Sequence, residues 1–463
     1  MIRLYNTLSR KIEETTPADG KEFKIYNCGP TVYDYAHIGN LRTFTLQDLL
    51  NRYLRFRGFK VKMVMNVTDV DDKTIKRSKE QGMKLKEFTA KYAQEFLADL
   101  DSLGILKPDK LVYATQEIPE MIKIIEALID KGFAYKTDDG VYFDIKKFRE
   151  YGKLSKLKLK KLKTGARVNV DSYEKNNASD FALWKAWQES DGEVFWPAPF
   201  GKGRPGWHIE CSAMSLEYLG KVIDIHGGGV DLVFPHHENE IAQSESFTGS
   251  HVVRHWFHSN HLIVEGRKMS KSLGNYYTLR DLQDYSTRAL RLLFFSAHYR
   301  DELDFSMRSL ENAGKTVKGF DEFVQKLSGC KAGGTTLEVE QLAKEAEAGF
   351  VENLDNDLDT PLMLAGLHAF FRNANKLIDS GKVTLGGAKK LLAFIERINS
   401  VLGVFRLEFS DKLSKEEEKL VNEREKARKE KDYKKSDELR QKLLKEHKIQ
   451  LDDTADGFRW KRI

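Results

Sequence analysis

The fold is decided by residues 24–65, which open with the sequence KIYNCGPTVYDYAHIGN. Residues 24–27 predict a short strand, and Gly29 with the proline after it starts a loop. Apolar side chains then recur at helical spacing over Leu41–Phe56, and Val61–Met65 predicts a second strand. A strand, a ligand loop, a helix and a second strand are how a doubly wound parallel sheet begins. The sequence therefore predicts a Rossmann-like α/β fold.

This pattern is interrupted once and later gives way to helices. A Lys-dense run at 146–163, followed by Gly, Pro and aromatic residues, indicates an insertion between about 110 and 205. Strand patterns resume at Val222–His226 and continue through His261–Val264. The helices that follow are predicted at Arg288–Tyr299, from Leu310 onward, and at Val339–Asn353, Leu362–Ile378 and Ala388–Leu402. Residues 328–334 predict a glycine-containing linker, and 449–451 with 458–460 predict a terminal hairpin.

The composition is that of a well-charged globular protein. Its 463 residues are 41% apolar and 32% charged, and a net charge of +6 does not by itself indicate a polyanionic partner. The sequence contains no run of about 18 apolar residues, so we expect no membrane span. Its start lacks the pattern of a secretory signal. Three scattered cysteines do not form a disulfide framework. We therefore expect a cytoplasmic protein whose thiols are free to bind metal.

Two short loops have the character of phosphate-binding loops. The first, HIGN at 37–40, enters the predicted helix, whose free N–H groups and positive dipole end attract phosphate. Gly39 lets the backbone approach a ligand, and His37 adds a side-chain donor. The second, KMSKS at 268–272, carries two ammonium groups on flexible stems, which suit charge that moves onto a departing phosphate. Each loop alone also fits an ordinary surface turn, whereas the pair is specific.

A candidate metal site lies between these loops. Eight of the twelve histidines fall between residues 208 and 261. His236 and Glu240 are four residues apart and share one face of a helix if they lie on one. Cys28, at the end of the first strand, and Cys211 add two thiolates. Two thiolates, an imidazole and a carboxylate suit zinc better than harder cations.

The residues alone leave the ligand set open. The helix that would align His236 with Glu240 must begin near Pro235. His237 lies three residues before Glu240, and Glu238 is a further rival, so spacing does not choose among them. A plainer interpretation treats both cysteines as small buried apolar residues.

With these motifs in this order, the chain resembles the class I aminoacyl-tRNA synthetases and, within that class, the cysteinyl-tRNA synthetases. The class carries a His-Ile-Gly-His motif and a Lys-Met-Ser-Lys-Ser motif. The chain matches the second fully and departs from the first at Asn40, which can still donate hydrogen bonds. The resemblance covers nearly the whole chain and is most specific at 26–72 and 204–275.

The resemblance implies a ligase that activates cysteine with ATP and Mg²⁺ and passes it to the 3′-terminal ribose of its tRNA. It also implies a monomer with one zinc ion that selects the substrate thiolate. The implied site residues are His37, Lys268 and Lys271 for catalysis, Gly39, Asn40, Ser270, Lys271 and Asp231 for ATP, Thr68, Trp207 and His208 for the substrate, and Cys28, Cys211, His236 and Glu240 for the metal. Asp231 also fits a contact with the substrate amine.

The same resemblance gives the domains their expected functions. The predicted boundaries are 1–110 for the first half of the nucleotide-binding catalytic domain, 111–203 for a connective insertion, 204–275 for the second half with the metal site, 276–310 for a stem-contact region, 311–407 for a helical bundle, and 408–463 for a small mixed α/β anticodon-binding domain.

Two basic segments are candidates for contact with tRNA. Lysines alternate with leucines over 153–163, which fits either a phosphate backbone or a solvated edge strand. Arg459 and Trp460 can stack on unpaired bases, although Trp460 equally fits a small core. The resemblance favours an anticodon-binding function for this end of the chain.

Two alternatives remain. The cysteine-adenylating ligase of mycothiol synthesis shares both loops and the metal site but lacks an anticodon-binding end. A tRNA-binding protein that has lost catalysis is a second possibility, against which the intact motif residues count. Asp69, Asp71 and Asp72 resemble a magnesium cluster but are expected to cap the helix that follows, and Cys330 has no predicted role.

Overall fold

The described chain consists of two compact units. The computed structural model describes residues 1–156, 167–168, 179–407, 414–430, 432–447, 449–454 and 457–462, with 167–168, 415, 429, 452–454 and 457–462 described by their backbone alone. One unit spans Met1–Phe405 and the other Arg406–Ile463. Among the described helices, none has both the length and the apolar character that a membrane span requires.

Most of the described strands lie in the first two thirds of the chain. In chain order they are β1 (Arg3–Asn6), β2 (Lys11–Glu14), β3 (Glu22–Asn27), β4 (Lys60–Val67), β5 (Lys110–Tyr113), β6 (Ala134–Thr137), β7 (Gly140–Phe143), β8 (Arg167–Val168), β9 (Asp180–Ala186), β10 (Gly203–Pro205), β11 (Ile223–Gly229), β12 (Val253–Ser259), β13 (Leu262–Val264), β14 (Arg267–Lys268), β15 (Leu303–Phe305), β16 (Ile449–Thr454) and β17 (Gly457–Arg462).

Helices connect these strands and then form most of the rest. In chain order they are α1 (Ile38–Phe56), α2 (Asp72–Glu80), α3 (Leu85–Ser102), α4 (Ile118–Asp130), α5 (Trp207–Leu219), α6 (Glu238–Thr248), α7 (Thr287–Phe294), α8 (Met307–Ser328), α9 (Leu337–Asp355), α10 (Thr360–Asp379), α11 (Leu385–Leu402), α12 (Lys415–Lys429) and α13 (Tyr433–His447).

The larger unit is built on a five-stranded parallel sheet in the order β12-β11-β3-β4-β5. The chain extends the sheet from β3 through β4 to β5, and then returns to the other side of β3 with β11 and β12. The order therefore reverses between β3 and β11, and such a reversal leaves a ligand crevice at the carboxyl ends of the strands. The predicted doubly wound, Rossmann-like α/β fold is confirmed.

Besides the β1–β2 pair, two further sheets accompany it. The first, in the order β10-β9-β7-β6 with β8 beside β9, lies within the predicted insertion. The second places β13 between β14 and β15. The strand predicted at His261–Val264 is thus present as β13, but it pairs outside the parallel sheet. Its partner β14 leads directly into the 268–272 loop.

The helices after residue 285 follow the predicted pattern with one error. The helix predicted at Arg288–Tyr299 is wrong in its last part, since α7 ends at Phe294. The last turn tightens there, since the N–H groups of Phe295 and Ser296 donate to the carbonyl oxygens of Leu292 and Leu293, three residues back. The linker predicted at 328–334 is confirmed by the gap between α8 and α9.

Side-chain caps define where the later helices begin. Ser306, Thr336 and Asp359 accept hydrogen bonds from backbone N–H groups in the first turns of α8, α9 and α10. Such caps satisfy N–H groups that the helix itself leaves without partners. These three helices consequently start two or three residues earlier than their apolar periodicity alone indicates.

The second unit contains α12, α13 and the β16–β17 hairpin. The hairpin is antiparallel and longer than predicted, because Ile449 pairs with Arg462 at its open end. Its small apolar core consists of Leu420, Val421, Leu443, Ile449 and Leu451. The division at 405/406 lies close to the predicted 407/408 boundary, whereas β5 spans the predicted 110/111 boundary; the predicted domain boundaries stay predictions.

Arg42, in the second turn of α1, joins two loops of the larger unit. Its side chain is buried, and its Nη1 donates to the carbonyl oxygens of Asn260 and His261 at 2.7 and 2.9 Å. Its Nη2 donates to those of His298 and Asp301 at 3.1 and 2.9 Å. Burial lowers the pKa of Arg42 to about 10, so it keeps its charge at neutral pH. One guanidinium thus fixes the chain on both sides of the β13–β15 sheet.

Replacing Arg42 by methionine should lower the free energy of unfolding of the larger unit by about 2–4 kcal/mol, because four carbonyl groups lose their donor. The change is measured by equilibrium urea unfolding. The matched control is Arg397→Met, whose exposed side chain pairs with Glu347 and should cost about 1 kcal/mol or less. Equal losses in the two variants would contradict this role for Arg42.

Candidate functional site at the carboxyl edge of the parallel sheet

The start of α1 is organised by His37 and Asn40. His37 is the N-cap residue, and its Nδ1 accepts the Asn40 N–H at 3.1 Å. In return the His37 N–H donates to Asn40 Oδ1 at 3.3 Å. A Cβ at Gly39 would lie 2.9 Å from Nδ1 of His37, so the ring can fold back only over a glycine. Asn40 therefore has a definite structural role where the family motif has histidine.

This cap also sets the protonation of the His37 ring. Because Nδ1 accepts a hydrogen bond, the proton of the neutral ring lies on Nε2. Burial lowers the pKa of His37 below its ordinary value, although the nearby Asp231 carboxylate acts in the opposite direction. His37 is therefore a neutral N–H donor at neutral pH.

The two motif loops, distant in sequence, meet in space. The N–H of Ile38 donates to the carbonyl oxygen of Tyr277 at 2.9 Å. The Cε atom of Met269 lies 3.7 Å from the position that a Cβ on Gly39 would take. The 268–272 loop is thus held against the beginning of α1.

An acidic residue that the sequence did not single out holds Lys271. The Lys271 ammonium lies 2.5 Å from Asp34 Oδ2 and 4.9 Å above the ring of Tyr276. Asp34 belongs to the loop between β3 and α1, and nothing in its sequence context marks it as a partner of a residue 237 positions away. Lys268 is exposed and has no ion pair within the described ranges. Ser270 donates its N–H to Asn275 Oδ1 at 2.8 Å, which fixes the turn between the two lysines.

A crevice of about 300 Å³ opens where the order of the parallel strands reverses. The residues that line it include the loop after β3, His37, Asn40, Trp207, Asp231 and Tyr276. Asp231 is exposed and follows the carboxyl end of β11. The crevice thus combines a histidine donor, an exposed carboxylate and an aromatic wall at one edge of the sheet.

Two residues predicted to contact substrate lie behind this wall. The hydroxyl of Thr68 donates to Glu210 Oε2 at 2.8 Å, and its side chain is buried. His208 is also buried, and its Nδ1 lies 3.0 Å from Nδ1 of His236. Neither is among the crevice-lining residues. Trp207 does line it, and its ring stacks on that of His236 with centroids 4.2 Å apart.

The four predicted metal ligands converge beside the crevice. Cys28 follows β3, Cys211 lies in α5, and Glu240 lies in α6. Together with His236 they place one ligand atom each within 4.8 Å of all the others, and all four are buried. The two sulfur atoms are 3.8 Å apart, and His236 Nε2 is 3.0 Å from Glu240 Oε1. Ligand atoms around one tetrahedral zinc ion lie roughly 3.3–3.8 Å apart, so the cluster has a suitable size.

His236 reaches Glu240 although α6 does not begin at Pro235. The helix starts at Glu238, but His237 already has helical φ and ψ of −68° and −31°. The two side chains therefore face each other as they would on one helix.

A second, overlapping group is equally compact. It contains Cys28, His226, His237 and Glu240, and all four are buried. Cys28 Sγ lies 3.2 Å from His237 Nε2 and 3.5 Å from His226 Nε2. His237 Nδ1 in turn lies 2.7 Å from Nε2 of His258. The distances alone therefore do not decide between His236 and His237 as the partner of Cys28 and Glu240. The spacing in the sequence did not decide between them either.

The electrostatics of the cluster are those of a site that attracts a cation. Burial raises the pKa of the Cys28 thiol well above its ordinary value. Burial also acts to raise the pKa of Cys211, but the hydrogen bond from Cys28 and the nearby His236 lower it to about 7. Although burial opposes it, Glu240 and Cys211 raise the pKa of His236 to about 10. A protonated His236 thus balances the negative groups, a balance that a metal ion can supply in its place.

The three aspartates after β4 have structural roles. Asp71 accepts the N–H of Thr74 and caps α2, as expected. Asp69 instead binds the hydroxyl and N–H of Thr115. Although burial acts to raise the pKa of Asp72, Lys185 and Arg204 hold it below its usual range. Capping is therefore confirmed for Asp71 and wrong for the other two, whose side chains bind more distant elements.

The predicted tRNA contacts lie largely outside the described residues. Within the basic run, Lys153 pairs with Glu150 and Glu245 at 2.8 and 2.5 Å, and Lys156 donates to the carbonyl oxygen of Leu8. Residues 157–163 fall outside the description.

The C-terminal pair is described by its backbone alone. Arg459 and Trp460 belong to β17, where Trp460 pairs with Leu451. Their side chains lie outside the description. Cys330 follows α8, and burial raises the pKa of its thiol.

Comparisons with known proteins agree with this architecture. Residues 14–315 match the family model described as tRNA synthetases class I (C) catalytic domain, and residues 349–406 match the DALR domain. The cysteine–tRNA ligase of Chlamydia felis is 45% identical over 468 residues, covering 100% of this chain and 98% of that protein. That of Brachyspira hyodysenteriae is 46% identical over 473 residues, covering 100% and 99%.

A solved structure with little sequence similarity has the same fold. Mycobacterium tuberculosis methionyl-tRNA synthetase, in complex with methionyl-adenylate, superposes with a TM-score of 0.62 at 13% identity. The superposition covers 82% of this chain and 90% of that one. At this identity the likeness concerns the fold alone.

Replacing Asp34 by asparagine should loosen the loop that carries Lys271, because the variant removes the charge that holds its ammonium. A partly exposed ion pair contributes about 0.2–1 kcal/mol, so amide hydrogen exchange at 270–274 should become about two- to fivefold faster. The control is Asp301→Asn, which changes a carboxylate with no ion pair within the described ranges. Unchanged exchange in the Asp34 variant would contradict the restraint.

Proposed function

Because the chain belongs to the family of cysteine–tRNA ligases, class I synthetases that join cysteine to tRNA, we propose that it works in two steps at the crevice between β3 and β11. A carboxylate oxygen of cysteine attacks the α-phosphorus of Mg²⁺-bound ATP, and pyrophosphate leaves. A hydroxyl of the tRNA 3′-terminal ribose then attacks the carbonyl carbon of the adenylate, and AMP leaves. The observation that carries the proposal is the meeting of both motif loops beside the Cys28–Cys211 cluster.

The phosphate groups of ATP are assigned to His37, Lys268 and Lys271. The His37 Nε2–H is a neutral donor whose direction is set by the Asn40 cap. The two ammonium groups stand on an exposed loop and can follow the charge that develops on pyrophosphate. When phosphate arrives, Lys271 exchanges the Asp34 carboxylate for phosphate oxygen. Positioning and charge stabilisation then supply the rate without a covalent enzyme intermediate.

The remainder of ATP contacts the rim of the crevice. We assign these contacts to Gly39 and Asn40 at the start of α1, to Ser270 beside the lysines, and to Asp231. The Asp231 carboxylate is exposed at the end of β11 and can accept a hydrogen bond from a ribose hydroxyl or from the amine of cysteine. Cysteine then lies between Asp231 and the Trp207 wall.

The substrate thiol is assigned to the buried cluster. Cys28, Cys211, His236 and Glu240 fit Zn²⁺ in donor type, in separation and in burial. We prefer this group to the one with His226 and His237 because it alone contains both thiolates. Bound zinc would supply a Lewis acid that prefers sulfur to oxygen, a preference that shape alone gives poorly for cysteine over serine. Trp207 holds His236 by stacking, while Thr68 and His208 support the wall from behind.

A tRNA substrate is preferred to a small-molecule acceptor because the similarity to cysteine–tRNA ligases extends over the whole chain. We assign anticodon contacts to the terminal unit, with Arg459 and Trp460 as the candidate residues. We also propose that the protein acts in the cytoplasm as a monomer.

The direct test is ATP-dependent attachment of labelled cysteine to an unfractionated tRNA pool, with serine and methionine assayed in parallel. Stable charging with cysteine alone is the expected result. Cysteine-dependent ATP–pyrophosphate exchange without charging would instead indicate a small-molecule ligase, and the absence of any exchange would contradict an active enzyme.

Replacing Lys271 by alanine should lower the rate of cysteine-dependent ATP–pyrophosphate exchange by about 10²–10³-fold, because a transition-state charge partner is lost. The affinity for tRNA should stay within about twofold. The control is Lys123→Ala, whose side chain lies exposed on α4. An undiminished exchange rate would remove Lys271 from the catalytic residues.

Replacing Cys211 by alanine should remove the bound zinc, because one of two thiolate ligands is lost. Zinc content is measured by elemental analysis of the purified protein, and cysteine affinity by equilibrium binding; both should fall together. The matched control is Cys330→Ala, which changes a cysteine outside the cluster. Full zinc retention in the Cys211 variant would contradict the assignment of Cys211 as a zinc ligand.

A further inference from the structure

A second cavity, of about 450 Å³, shares one wall with the crevice. That wall is the turn after β11. Gly229, Asp231 and Leu232 line the crevice, whereas Val230, Val233 and Phe234 line the cavity. The remaining cavity walls come from the β1–β2 hairpin, from the end of β12, and from Ser155 and Arg300. The cavity therefore lies directly behind the turn that carries Asp231.

The charged residues that line this cavity are arginines. Among the described residues, its lining contains Arg10 and Arg300 and no carboxylate. Arg10 donates its Nη2 to the carbonyl oxygen of Leu154 at 3.1 Å and has no ion pair within the described ranges. Arg300 shares its charge with Asp357, whose Oδ2 lies 2.7 Å from its Nε. Because only one carboxylate pairs with these two guanidinium groups, the cavity has a net positive charge among its described residues.

The cavity is also lined by Ser155, whose hydroxyl lacks a partner among the described atoms. The Oγ atom of Ser155 is buried and has no hydrogen-bond partner among the described atoms. Its backbone N–H is already bound to Glu238 Oε2 at 2.7 Å, which fixes the residue in place. Buried polar atoms are nearly always hydrogen-bonded, so an unpaired hydroxyl beside two guanidinium groups calls for an acceptor ligand.

We propose that this cavity binds a phosphate-bearing nucleotide of the single-stranded 3′ end of tRNA. Guanidinium groups match phosphate geometry with two parallel hydrogen bonds, and Ser155 Oγ can donate a further one. Val230, Val233 and Phe234 give an apolar wall for the ribose and base. The volume falls within the range of roughly 300–1,000 Å³ that is usual for small-ligand sites.

Position favours the 3′ end over other parts of the tRNA. The terminal ribose hydroxyl must enter the crevice, and the cavity is separated from the crevice only by the turn after β11. A nucleotide held here therefore anchors the strand next to the place where its end reacts. This inference rests on the proposed ligase function and adds a tRNA contact far in sequence from Arg459 and Trp460.

The test compares tRNA binding by the wild-type enzyme and the Arg10→Gln variant, using intact tRNA and tRNA without its terminal CCA. We expect the variant to bind intact tRNA about five- to tenfold more weakly and truncated tRNA within twofold of wild type. Cysteine-dependent ATP–pyrophosphate exchange should remain within twofold, which also shows that the variant is folded. Arg10→Lys, which keeps the charge but not the paired hydrogen bonds, should restore part of the affinity, and Arg397→Gln should match wild type.

Several outcomes would overturn the inference. Equal losses with both tRNAs, or no loss with either, would exclude an anchor for the 3′ end. A large loss of exchange would assign Arg10 to the crevice instead. If CMP binds to the wild type but not to the variant while tRNA binding is unchanged, the ligand is a free nucleotide. Absence of cysteine-dependent exchange in the wild type would contradict the proposed function, which is a separate failure.

Discussion

The parallel pairing of β3 with β11 is the constraint on which the site depends. The N–H of Cys28 donates to the carbonyl oxygen of Gly227 at 3.0 Å, so the ends of these strands are fixed side by side. The end of β3 is followed by the Cys28 thiol and the loop toward α1. The end of β11 is followed by Asp231 and the turn that leads to His236. Because the sheet order reverses here, a crevice opens between the two strand ends. Both the crevice and the buried cluster follow from this one pairing.

A second constraint brings the lysine loop to the same edge. Arg42 lies two residues after Asn40 and holds the carbonyl oxygens of Asn260 and His261. Those residues precede β13, which pairs with the strand that carries Lys268. The segment that begins with the His37 cap therefore also positions the second motif loop. A buried arginine with four carbonyl partners restrains the chain strongly, whereas the partly exposed ion pair of Lys271 with Asp34 restrains it weakly. More side-chain hydrogen bonds therefore restrain the segment behind the site than the loop at its mouth.

Local patterns in the sequence were enough to predict the fold. Apolar periodicity indicated α1 and the strands beside it, and the two motifs together indicated the family that the chain resembles. Interactions between distant segments could not be predicted in this way. Asp34 has no local signal, because its partner Lys271 is 237 positions away. Apolar spacing also did not reveal that α7 ends at Phe294, where the last turn tightens to hydrogen bonds three residues apart. His236 and His237 stay hard to separate because both rings reach the same cluster.

We propose that two cysteines of this chain hold a zinc ion that receives the substrate sulfur. X-ray absorption at the zinc edge tests this assignment, because it counts sulfur neighbours without relying on activity. We expect two sulfur ligands in the resting enzyme, three after addition of cysteine, and two after addition of serine. A site without sulfur ligands, or a sulfur count that cysteine does not change, would contradict it.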